Sequence, residues 1–105
     1  MDLTGKKLGL LLSASPEQPN FGRAVALASA AVQRGVQVYF YCIDDAVAGL
    51  KDERLQGLKG HGVNLFACAY GAQRRNLTLG DLATFAGLGT VNDLIANTDR
   101  FVSFN

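Results

Sequence analysis

Four short apolar runs constrain the fold of this chain more than any other feature. They are KLGLLLS at 7–13, VQVYFYCI at 36–43, VNLFAC at 63–68 and RFVSF at 100–104. The first is continuously apolar and bounded by turn residues, as a strand buried on both faces requires. The second is rich in β-branched and aromatic side chains, which favour strands. Between the first two, residues 21–34 repeat apolar positions at helical spacing. Val25, Ala28 and Val32 form one stripe with Leu27 and Ala31 beside it, and Gly35 supplies the stop. A polar loop over 14–20, carrying Pro16 and Pro19, precedes that helix.

The rest of the chain continues the alternation. Asp44 or Asp45 is placed to cap a short helix, and DERLQGLK at 52–59 reads as a helix with Leu55 and Leu58 inward, ended by GHG at 60–62. Thr78-Leu-Gly-Asp81 matches a capping box and predicts a helical turn near 79–83. TFAGL at 84–88 reads as a short fourth strand. Thr90-Val-Asn-Asp93 is a second capping box, predicting a helix to about Asn97. Strands alternating with helices over short loops imply one α/β domain, 1–105, built on a parallel sheet covered on both faces. Such sheets present their working loops at the carboxyl ends of the strands. Cys42, Cys68 and the 14–20 loop all fall at those ends.

Composition narrows the chemistry. Apolar residues make up 49% of the chain and the net charge is +1, so a nucleic-acid tail or a polybasic membrane patch is not expected. Lys6-Lys7 before LGLLLSAS imitates a signal peptide, but its apolar core is at or below the roughly 7–15 residues required. No run approaches the ~18 residues of a membrane span. With two cysteines and one histidine, His61, neither a structural zinc nor a disulfide scaffold is expected. A reducing cytoplasm, without metal or cofactor, is the expected setting.

Cys68 is the leading chemical candidate. It ends its run, and Ala69, Gly71 and Ala72 follow; if these open a helical turn, backbone N–H groups face the sulfur. Arg74 and Arg75 add positive charge, which favours the nucleophilic thiolate. The bland alternative is a small buried hydrophobe with a solvated arginine pair. No partner histidine is evident, which disfavours acyl transfer and leaves disulfide exchange or sulfur carriage. Cys42 reads as a packed cysteine or, if its strand neighbours that of Cys68, as a candidate resolving thiol. Gly87-Leu-Gly89-Thr-Val-Asn92 lacks the third glycine of a dinucleotide fingerprint and lies late in the chain. Asp44-Asp45 lacks the third-strand aspartate of a phosphoacceptor pocket.

Two segments carry a family resemblance. Cys68-AYGAQ-Arg74-Arg75 follows a strand as C-x5-R-R, and GLGTVNDLIANTDRFVSF closes the chain at 87–104. In these, and in the order of its strands, the chain resembles the DsrE/TusD-like (DsrE/DsrF/DsrH-like) sulfur-relay proteins along nearly its whole length. The resemblance implies a three-layer α/β/α sandwich with a five-stranded, mainly parallel sheet. It implies a cysteine at position 68 that accepts sulfane sulfur as a persulfide and passes it to a partner thiol; on the charge reading above, Arg74 or Arg75 would stabilise the anion. It also implies trimers or hexamers of identical or paralogous chains. Some subunits of the family lack the cysteine and serve in assembly alone; this chain retains it. An inert assembly module and a small-molecule-binding cleft are the competing expectations.

Overall fold

The computed structural model describes residues 2–77 and 80–105. Its elements run β1 (Lys7–Leu12), α1 (Pro19–Gln33), β2 (Gln37–Cys42), α2 (Asp45–Ala48), α3 (Glu53–Gly60), β3 (Asn64–Cys68), α4 (Ala69–Arg74), β4 (Thr84–Ala86), α5 (Gly89–Asn97) and β5 (Arg100–Phe104). The five strands form one sheet in the order β4-β3-β2-β1-β5, every neighbouring pair parallel. No helix among the described residues is long and apolar enough to cross a membrane.

Strand order decides how the helices are distributed. The chain steps from β1 to β4 in one direction, so right-handed crossovers stack their helices on one face. The return from β4 to β5 runs the other way, so α5 lies on the opposite face. Burial follows this division. Leu10, Leu12, Val38, Phe40, Cys42, Leu65 and Ala67 share the α1 face by register, and all are buried. Phe21, Ala24, Ala28 and Ala31 of α1 meet them. On the α5 face Leu11, Tyr39, Phe66 and Phe101 are only half-buried, because one helix covers only part of the sheet. Gly9 lies on that face because Phe101 stands over it: a Cβ there would come within 2.7 Å of the ring.

Several boundaries differ from the sequence expectation. The long helix starts at Pro19, not at residue 21, since proline at the first helical position loses no hydrogen bond and has the right φ. The last helix starts at Gly89: Thr90 N–H already bonds the Gly87 carbonyl at 3.1 Å, so the threonine is inside the first turn and caps nothing. The fourth strand stops at Ala86. In the expected turn near 79–83, Thr78 and Leu79 lie outside the described residues, and 81–83 form a turn and a bend without helix. Asp44 precedes α2 with a φ of 53° and no side-chain cap, whereas Asp52 caps α3 through the Arg54 N–H at 2.9 Å. The 14–20 loop is tied down from the α3 side: Arg54 donates to the Pro16 carbonyl at 3.0 Å, and Pro16 packs on Gly49.

Candidate functional site

Cys68 is both the last residue of β3 and the N-cap of α4. The transition needs no loop, because Ala69, Gly71 and Ala72 are small enough to turn directly against the sheet edge. As the cap, Cys68 presents its sulfur to the free N–H groups of the first turn, and Gly71 N–H donates to Sγ at 3.3 Å. Gly71 sits in close quarters. A Cβ at this position would stand 3.3 Å from Val47 Cγ2, 3.5 Å from Cys68 Cβ and 3.6 Å from Arg75 Nη1. Three groups therefore surround Gly71: Val47 from α2, Cys68 and the Arg75 guanidinium.

The two arginines part company. Arg75 is half-buried; it donates to the Gly71 carbonyl at 3.3 Å and its guanidinium lies 3.6 Å from Asp45. Arg74, one residue earlier and so about 100° around the helix, is exposed, with its guanidinium 5.8 Å from the centre of the Tyr70 ring. Tyr70 is itself 66% exposed.

Tyr41 is a neighbour of Cys68 that sequence reasoning missed. It pairs with Phe66 in β3, so its side chain emerges on the same face as Cys68, two residues further along. Its hydroxyl donates to the Ala86 carbonyl at 2.8 Å, and Ala86 is the β4 partner of Cys68. The phenol therefore spans β3 at the level of the cysteine. Burial raises its pKa well above the ordinary range, and the Cys68 thiol adds to this by charge and by hydrogen bonding. Only the VYFYC alternation hinted at this, and the hint needs the strand order to be read.

Cys42 and Cys68 are on adjacent strands, and both are free thiols. The register nevertheless keeps them apart. Cys42 lies opposite Ala67, so its side chain emerges on the α1 face while that of Cys68 is on the other. Cys42 is 0% exposed, and burial pushes its thiol up to about 12. The structure does not bring the two sulfurs together as a resolving pair. His61 caps the end of α3, exposed, at the amino-terminal end of the sheet.

This arrangement places one backbone N–H and one phenol beside the sulfur, with one guanidinium against Gly71. Cys68 as a residue is 4% exposed.

Comparison with known proteins agrees with this architecture. The structure is similar to the crystal structure of the ychN protein from E. coli, with a TM-score of 0.79, 15% identity, and coverage of 94% of this chain and 99% of that one. It is equally similar to a conserved protein of unknown function from Bacteroides thetaiotaomicron, with a TM-score of 0.78, 16% identity, and coverage of 93% and 94%. At such identities these likenesses establish the fold. No curated protein matches the sequence significantly. The model of the DsrE/DsrF-like family matches residues 6–104. With nearly every residue inside that match, and the five-stranded parallel fold beside it, the chain belongs to the DsrE/DsrF-like family.

Proposed function

We propose that this protein is a sulfur carrier, with Cys68 as the residue that holds sulfane sulfur and hands it to a partner thiol. Family membership is consistent with sulfur relay. The observation that carries the reading to this chain is the capped sulfur: Cys68 Sγ accepts the Gly71 N–H beside the Arg75 guanidinium. Each of these groups favours the anion over the neutral thiol.

The reaction needs no cofactor and no net oxidation. The Cys68 thiolate attacks the outer sulfur of a donor persulfide, R–S–SH. A new S–S bond forms at Cys68, the donor S–S bond breaks, and its electron pair leaves as R–S⁻. The product is Cys68–S–SH. An acceptor thiolate then attacks the outer sulfur and Cys68 departs as thiolate. Tyr41 stands where its hydroxyl can turn from the Ala86 carbonyl to the sulfur anion. Arg75 holds the counter-charge, while Arg74 and Tyr70 form an exposed surface beside the site that suits a docking partner. A carrier thiol has to stay reduced between turnovers, which fits the cytoplasm.

Assembly belongs to the same reading. The thinly covered face carries half-buried Tyr39 and Phe66, and Leu88 at the cap of α5 and Ile95 within it are both more than half exposed. Self-association into trimers or hexamers, or pairing with paralogous chains, would cover these side chains. Sedimentation should show an oligomer at micromolar concentration; a monomer throughout would remove this part.

A second reading rests on one observation. Cys68 is almost fully buried, as an inert packed cysteine in an assembly subunit would be. Intact mass after incubation with a low-molecular-weight persulfide separates the two. The carrier gains one sulfur, about 32 Da, in the wild type and none in Cys68→Ser. An unchanged wild-type mass, with a control carrier protein labelled in parallel, leaves only the assembly reading.

A further inference from the structure

A groove of about 640 Å³ opens at the opposite end of the sheet from Cys68, between the second half of α1 and the starts of β1, β2 and β5. Leu8, Leu27, Ala31 and Val36 give it an apolar floor. Lys6, Lys7, Arg34 and Arg100, all exposed, stand around it, four of the ten basic residues of the chain. One carboxylate, Asp99, lines it, and that carboxylate already accepts the Lys7 backbone N–H at 2.7 Å. The volume lies within the roughly 300–1,000 Å³ of small-molecule sites, and an apolar lining with a few polar groups is their usual composition.

We propose that this groove binds a small amphipathic anion: an apolar body on the floor and a single acidic head, such as a carboxylate, among the cations. Charge selects this occupant. A second copy seated on the groove by two-fold pairing would set four cations against their own counterparts. A neutral apolar molecule would fill the floor and leave the cations unanswered. In an all-parallel sheet this end is the far one from the β3 carboxyl end, so binding here neither needs nor uses the chemistry of Cys68.

The test is a titration of the isotope-labelled chain with dodecanoate, below its micelle concentration and at low ionic strength, followed through backbone amide signals. The expected result is saturable one-to-one binding with shifts centred on residues 3–8, 27–36 and 99–100. Dodecanol, of the same length without the charge, should bind about tenfold more weakly. Arg34→Glu combined with Arg100→Glu should weaken dodecanoate by about tenfold, equivalent to about 1.4 kcal/mol. The same spectra report whether that variant is folded. If it is not, the exposed Lys6→Glu, outside any strand, replaces it with an expected loss of a few-fold. The proposal is overturned by equal affinity for dodecanol, by charge-reversed variants that bind as the wild type does, or by shifts centred elsewhere.

Discussion

The carboxyl ends of β2 and β3 lie side by side, and each carries a cysteine, yet they create opposite environments. At β2 the sulfur of Cys42 turns into the α1 face, sealed among Leu12, Ala67 and their neighbours, with no hydrogen-bond partner among the described residues. At β3 the chain turns at once into α4, and Cys68 meets the Gly71 N–H and the Tyr41 hydroxyl, with the Arg75 guanidinium against Gly71. Residue type and burial are the same at the two positions. What differs is the parity of the register and what the chain does next: a helix start directly after β3, and a residue at positive φ, Asp44, before the short α2. A strand end becomes chemically useful when the following turn brings backbone donors back to it.

The same substitution at both positions gives the largest test of that contrast. Cys42→Ser buries a hydroxyl in an apolar site and should cost about 1–3 kcal/mol. Cys68→Ser puts a preferred N-cap residue where a cap is already used, and the Gly71 N–H keeps its acceptor. Its cost should stay below about 0.5 kcal/mol. Chemical denaturation of the two variants measures this, and equal losses would break the comparison.

Alkali should act chiefly through the β2 end. The Cys42 thiol is raised to about 12 by burial, so between an ordinary thiol value near 8.5 and 12 the folded state retains a proton that the unfolded state has lost. Stability from this group is complete below that window and declines as pH rises through it, by at most about 1.4 kcal/mol per pH unit. Tyr41, also raised, pulls in the same direction at higher pH. Cys42→Ala should flatten the decline above pH 9 by an amount readable from denaturation midpoints. An unchanged slope would mean that Cys42 is not sealed as described.

The smallest effect sharpens the β3 end. Arg75→Gln removes the cation beside Gly71 and should slow alkylation of Cys68 a few-fold, in line with the ~0.2–1 kcal/mol of a partly exposed charge. Arg74→Gln should leave the rate within error, since that side chain faces Tyr70 and solvent. Equal effects of the two would show that general positive charge, and not the placement of Arg75, matters.

Much of this contrast was legible in the chain. The apolar runs located β1, β2, β3 and β5 to within a residue or so, because each sets several apolar, β-branched or aromatic residues in a row between turn or polar residues. Cys68 stood out because small residues follow it immediately. The parity that separates Cys42 from Cys68, and the reach of Tyr41 to Ala86, depend on pairing between distant segments, and no local pattern encodes a register. The arginine pair likewise needs the helix before Arg74 and Arg75 can be told apart. The Thr90 capping box misled because the first turn had already formed around Gly87 and Leu88. Pro19 read as loop although it serves equally well as a helix start.

Alkylation of the two cysteines in the folded wild-type protein at neutral pH, resolved by peptide mapping, reads the difference between the two strand ends. Cys68 should be labelled first, at least about tenfold faster, because local opening exposes a sulfur held at a helix start while Cys42 stays sealed in the core. Cys42 should stay unlabelled until the protein is unfolded, when both react alike. Equal, slow labelling of both cysteines in the folded state, or earlier labelling of Cys42, would contradict that difference.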